Sequence, residues 1–168
     1  ALSDREGEAA AMLNQGYAEA DLGRVGDAQA SYEAALSLWA VLGDRRGQVA
    51  TLTALGHLHV IVGENERALG RYRQASALAE PLGDLIRLAR IQAGLGAVHL
   101  ELGDAAAGID YYRRSAELFR KAKYSNGEAT ALLWLGACLS SLGQQAKALE
   151  ELAKVLALAR SLSDRRLE

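Results

Sequence analysis

Four glycines set the frame of this chain. Gly16, Gly56, Gly96 and Gly136 recur every 40 residues, and Gly23, Gly63, Gly103 and Gly143 follow them at the same offset. In the same register come Ala28, Ala68, Gly108 and Ala148, then Tyr32, Tyr72, Tyr112 and Leu152, then Ala35, Ala75, Ser115 and Val155. A fixed period of this length means that one supersecondary unit is copied and that each copy buries its apolar face against its neighbours. The register places approximate repeats at 4–43, 44–83, 84–123 and 124–163 of a single array.

Within a repeat, Leu52, Leu55, Gly56, His59 and Val62 fall on one helical face. After a turn, Ala68, Tyr72, Ala75, Ala79 and Leu82 do the same, so each unit reads as two amphipathic helices. Gly63 and its equivalents stand where a helix C-terminus favours glycine. The connectors Leu42-Gly43-Asp44 and Leu82-Gly83-Asp84 pair a glycine stop with an aspartate able to cap the next helix. In the third connector, Ala122-Lys123-Tyr124 replaces that pattern. Glycine inside a helix costs about 0.8–1.0 kcal/mol relative to alanine, so something must offset Gly16 and its counterparts. The expected offset is close approach of the two helices of a unit, with each glycine facing Ala28 or its counterpart. Trp39 and Phe119 alternate with Ala79 and Ala159 at another equivalent site, large beside small.

Composition supports helices and excludes several functions. The chain is 50% hydrophobic, 5% aromatic and contains one proline, which favours close-packed helices over a sheet. Nineteen basic against 21 acidic residues give a net charge of −2, too weak a field to gather nucleic-acid phosphates. No apolar stretch approaches the roughly 20 residues needed to cross a bilayer, and the opening Ala1-Leu2-Ser3-Asp4 has no signal core. A soluble, cytoplasmic protein with no membrane partner is expected. The single cysteine, Cys138, aligns with Ala18, Leu58 and Val98 and reads as a buried, inert thiol.

The order leucine-glycine, alanine, tyrosine, alanine resembles the tetratricopeptide repeat, best in Leu55-Gly56, Ala68, Tyr72 and Ala75. The 40-residue period is similar to the long-helix subtype of kinesin light chains, LGN-type adaptors and MalT-like regulators. The family's proline near the end of the second helix is absent at Ala40, Glu80, Arg120 and Arg160, with Pro81 one residue late in repeat two. The resemblance implies an all-α, right-handed α-solenoid of four antiparallel helix-turn-helix repeats, eight helices in all, that binds proteins or peptides. The start and the segment Ser161-Leu162-Ser163-Asp164 both align with a connector, so the chain reads as part of a larger protein.

Residues about half a turn from the core side of each first helix should line the inner groove. They are Leu13, Asn14, Tyr17 and Asp21 in repeat one, and Thr53, His57, Val60 and Ile61 in repeat two. Repeat three supplies Arg90, Ala93, Ala97, Leu100 and Glu101, and repeat four Thr130, Leu133, Trp134, Ala137 and Ser141. Such a surface suits a peptide anchored by hydrophobic side chains. The carboxylate clamp of chaperone-binding relatives is not carried over, since the matching sites read Leu13, Tyr17, Ala54, Arg90 and Gly94. Nor is the repeated asparagine of LGN-type adaptors, replaced here by Tyr17, His57, Ala97 and Ala137.

No catalytic or cofactor site is expected. His57 and His59 point to different sides of one helix, and His59 and His99 share a packing position without further metal ligands. Gly94-Leu95-Gly96 lies within a helix and lacks the strand of a dinucleotide fingerprint. The basic group Arg113, Arg114, Arg120, Lys121 and Lys123 is interleaved with Asp110 and Glu117 and reads as a solvated face. The leading expectation is an interaction scaffold within a larger regulatory or signalling protein. The alternatives are a small-ligand or signal-peptide sensor array, and self-association through a C-terminal helix whose Leu149, Leu152, Val155, Leu156 and Ala159 lack a following helix.

Overall fold

The structure, a computed structural model, describes residues 2–164 in backbone and 4–161 in side chains. Its residues cluster into two compact units divided between Asp84 and Leu85. The first holds α1 (Leu2–Asp21), α2 (Val25–Leu42), α3 (Arg45–Ile61) and α4 (Asn65–Ala79), each packed against its neighbours in sequence. The second holds α5 (Leu85–Glu101), α6 (Ala105–Lys121), α7 (Ser125–Ser141) and α8 (Gln145–Asp164), paired in the same way. A 3-10 turn over Glu80–Leu82 follows α4. Pro81 has no N–H to continue the helical ladder, so α4 stops at Ala79, whereas α2 runs on to Leu42. The fold is all-α, and no strand occurs among the described residues.

After each helix from α1 to α7 the chain turns through a left-handed residue, spaced 20 residues from the next. Gly23, Gly43, Gly63, Gly83, Gly103 and Gly143 have φ between 64° and 79°, a conformation that costs glycine nothing. At the first of these turns the Gly23 amide donates to the Ala20 carbonyl at 2.9 Å and the Arg24 amide to Glu19 at 2.8 Å. This is the Schellman pattern, which satisfies carbonyls left over by the helix. Asp44 caps α3 as expected, its carboxylate accepting from the amides of Arg46 (2.8 Å) and Gly47 (3.1 Å). Asp104 caps α6 in the same manner through Ala107. At the irregular third connector a lysine takes the glycine's place, with Lys123 at φ 55°.

The glycines inside the first helices also serve a contact beyond the one expected of them. A Cβ at Gly16 would lie 2.5 Å from two atoms of the Tyr32 ring, one at Gly56 2.8 Å from Tyr72, and one at Gly96 3.0 Å from Tyr112. In these three repeats the glycine thus makes room for the tyrosine one turn beyond the alanine site, while the close approach expected of the pair is seen where a Cβ on Gly108 would lie 3.5 Å from the Gly96 carbonyl oxygen. Tyr32 and Tyr72 are each 2% exposed as a result, and burial pushes both phenols well above their ordinary range. Repeat four lacks the tyrosine, and there the nearest atoms to a Cβ on Gly136 are the Ala148 carbonyl and Leu152, all at 3.6 Å.

A second glycine device explains the alternation at Trp39 and Phe119. The Trp39 ring packs on Gly47, and the Phe119 ring on Gly127, where an added Cβ would overlap the rings. Where the ring is replaced by Ala79, the residue at the glycine's place is Arg87. Large ring and absent side chain are thus matched across the connector, and the core stays filled. Val62, expected on the core face, is 40% exposed because α3 ends at Ile61 and the chain turns there.

Three substitutions test this packing and the irregular connector. Gly56→Ala gains about 1 kcal/mol of helix propensity but meets the Tyr72 ring, where overpacking costs about 1–3 kcal/mol, so the denaturation midpoint should fall. Gly136→Ala has only ordinary contacts and should raise the unfolding free energy from a urea titration by about 1 kcal/mol. Lys123→Gly relieves a left-handed conformation that costs an L-residue about 1–2 kcal/mol, and should also stabilise, by about 1 kcal/mol.

Candidate functional site

In the first unit the last turns of α1 and α3 bring Tyr17, Asp21, His57 and Ile61 to one exposed surface. Between them lies a pocket of about 200 Å³. Its remaining walls are Ala20, Thr53 and Ala54, and its floor is the Tyr32 ring. The Tyr17 and Tyr32 rings meet edge to face at 5.5 Å. Burial, then the neighbouring Tyr17, Asp21 and Glu19, push the Tyr32 phenol up to about 12. Asn14 is exposed nearby, while Val60 is half-buried. Leu13 is half-buried and packs against the Tyr32 and Trp39 clusters, so it is chiefly a core contact. Thr53 is half-buried and donates its hydroxyl to the Val49 carbonyl at 2.7 Å. Ala20, Tyr32 and Ala54 were not among the expected surface residues. The pairing of Tyr32 with Gly16 is the sequence signal that could have found the floor.

In the second unit Arg90, Glu101, Leu133, Trp134 and Ser141 are exposed, and Leu100 packs against the core cluster around Leu135 and Cys138. Trp134 is 49% exposed and stacks on Tyr112, with ring centroids 6.2 Å apart and 15° between planes. Further along, Leu133, Gly136, Ala137 and Ser140 of α7 face Ala148, Leu149 and Leu152 of α8 across an apolar groove of about 430 Å³. The groove lies where Leu152 leaves unfilled the space that a tyrosine takes in the other repeats. Leu149 and Leu156 of α8 are 66% and 60% exposed, whereas Leu152 and Val155 are half-buried.

The histidines at the packing position have structural partners. His59 is 2% exposed, and its Nδ1 lies 2.7 Å from Oε2 of Glu64. That hydrogen bond holds the Glu64 carboxyl below its ordinary range. His99 Nδ1 sits 3.6 Å from Asp104, and its ring stacks on Tyr111 at 5.1 Å. In repeat one Glu19 stands at this site and accepts from Ser31 (2.6 Å) and Gln15 (2.8 Å). On the other side of the first unit, His59, Arg67 and Arg71 border a polar hollow of about 400 Å³ with Gln29, Glu33 and Gln74. Both arginines are engaged, Arg67 with Glu64 and Arg71 with Glu33. Among the basic residues of repeat three, Arg120 donates to the buried Glu128 at 2.7 Å and Arg113 to Asp110 at 3.1 Å.

The tetratricopeptide-repeat family matches residues 7–80 and 87–161. In three dimensions the chain is similar to a Rap protein crystallised with competence and sporulation factor, with a TM-score of 0.86 and 17% identity over 98% of this chain and 45% of that one. It is similar to aspartyl phosphate phosphatase F from Bacillus subtilis, with a TM-score of 0.88 and 14% identity over 95% and 42%. Kinesin light chain TPR-like repeats from Podosopora anserina give a TM-score of 0.72 at 18% identity over 93% and 76%. This chain spans about half the length of the Rap-type structures it matches. No curated protein matches it in sequence. No helix among the described residues is long and apolar enough to cross a membrane.

Cys138 is fully buried in the second unit's core, and burial pushes its thiol up. A thiol so placed carries little thiolate at neutral pH. Ellman's reagent should leave the native protein unlabelled over the time in which urea-unfolded protein reacts fully.

Proposed function

Because this chain belongs to the tetratricopeptide-repeat family, we propose that it is a protein- or peptide-interaction module working within a larger regulatory or signalling protein. The carrying observation is the concentration of exposed rings and large apolar side chains on the first helices. Tyr17 and Ile61 are 45% and 61% exposed in the first unit, and Leu133 and Trp134 48% and 49% in the second. Leaving such groups in water forgoes the free energy that a partner's apolar side chains would recover on covering them. Tyrosine and tryptophan also lose little conformational freedom on binding, which makes them effective anchors.

In each unit these residues are held by the rigid part of the repeat. Tyr17 leans on the buried Tyr32 ring and Trp134 on the buried Tyr112 ring, so both are oriented before any partner arrives. Preorganised anchors bind with a smaller ordering cost. The chemistry supports binding and not turnover. Cys138 is sealed in the core, and His59 and His99 are committed to acidic partners at helix ends.

A random peptide library displayed on phage supplies the test. Peptides selected on the wild-type chain should carry apolar anchors, and a Tyr17→Ala, His57→Ala, Trp134→Ala variant with an unchanged circular dichroism spectrum should bind them about tenfold or more weakly. Full affinity in that variant would move binding away from these helices.

A further inference from the structure

The α1–α3 pocket of the first unit has a chemical bias. Asp21 is the one carboxylate on its lining, and no lysine or arginine lines it. Among the described residues Asp21 is in no ion pair with a cationic side chain. It also ends α1, while Ile61 ends α3, so the pocket is built from two helix C-termini. Each carries partial negative charge of its own. Burial, then Tyr17, Asp21 and Glu19, raise the Tyr32 phenol's pKa. Most of the remaining lining is apolar or aromatic, namely Tyr17, Ala20, Ala54 and Ile61, with Thr53 and the His57 imidazole as its other polar groups.

An aliphatic stem with a positive tip matches this arrangement. The stem is covered by apolar walls, tyrosine ring faces attract cations, and the tip reaches an acid at the rim. We propose that this pocket takes one lysine or arginine side chain of a bound peptide, with its methylenes against Tyr17 and Ile61 and its charge at Asp21. The inference rests on the peptide-binding reading above and names the residue class that the first unit selects.

The second unit supplies an internal control. There Trp134 occupies the place of Ala54 and stacks on Tyr112, the counterpart of Tyr32. Ala54 lines the hollow in the first unit, so a side chain of that size at position 54 would fill it.

Blocked Gly-Leu-Xaa-Leu-Gly peptides, with arginine, lysine, leucine or glutamate at Xaa, serve as probes in an amide NMR titration. Shifts should centre on Tyr17, Asp21 and His57, and the arginine and lysine peptides should bind about three- to fivefold more tightly than leucine, with glutamate weakest. Asp21→Asn, at an exposed position, should bring arginine and lysine down to the leucine level while leaving the leucine peptide unchanged. Ala54→Trp should abolish the shifts at the pocket for all four. Equal binding of arginine and leucine by the wild type, or a preference that survives Asp21→Asn, would overturn the cationic anchor while leaving the interaction surface standing. Shifts confined to the second helices would overturn both.

Discussion

The ring of a second-helix tyrosine has to pass beneath the first helix of its own repeat, and only a glycine there leaves it room. Three of the four repeats keep the pair, as Gly16 with Tyr32, Gly56 with Tyr72 and Gly96 with Tyr112. The loss of helix propensity at each glycine is about 1 kcal/mol, smaller than the roughly 1.5–3 kcal/mol recovered when a large side chain is fully buried. The exchange therefore favours the pair. It also fixes where the ring emerges, because a tyrosine held under the helix reaches the far side, where it meets Tyr17 in one unit and Trp134 in the other. The packing device and the proposed binding surface are two ends of one side chain.

Much of this was legible in the sequence because glycine has few substitutes where it is needed. The 20-residue rhythm of left-handed turns appears as Gly23, Gly43, Gly63, Gly83, Gly103 and Gly143, and the cap at Asp44 appears as an aspartate after a glycine stop. The ring beneath Gly16 is not legible in the same way. Ala28 and Tyr32 lie on the same face of α2 a turn apart, and periodicity alone does not say which of two neighbours reaches across. Volume decides it: the alanine is too short, and the ring needs the gap. Leu13 was placed on the open surface for a related reason, since a residue at the edge of a helical face touches both core and solvent.

The pocket itself was not legible, because it is made by the absence of a side chain. Ala54 carries no pattern that distinguishes it from any other small residue in a helix, and its role appears only when Trp134 is seen stacked on the equivalent tyrosine. The same holds in reverse at repeat four, where Leu152 in place of tyrosine opens a different hollow beside Gly136. Periodicity reports what recurs, whereas specificity in a repeat protein is written in departures from the period.

Those departures act on a frame that stays fixed, and this is why the frame alone identifies no ligand. Asp21 and Glu101 are equivalent and both exposed, yet Asp21 borders a hollow lined by Ala54 and Glu101 belongs to a unit where Trp134 stands at that position. An acid on an open surface interacts weakly with a cation, because water screens both charges and the cation keeps its freedom. An acid at the rim of an apolar pocket acts on a cation whose stem is already held, so less conformational freedom is lost in forming the pair. Asp21 thus differs from an acid on an open surface by the apolar lining beside it, not by its charge.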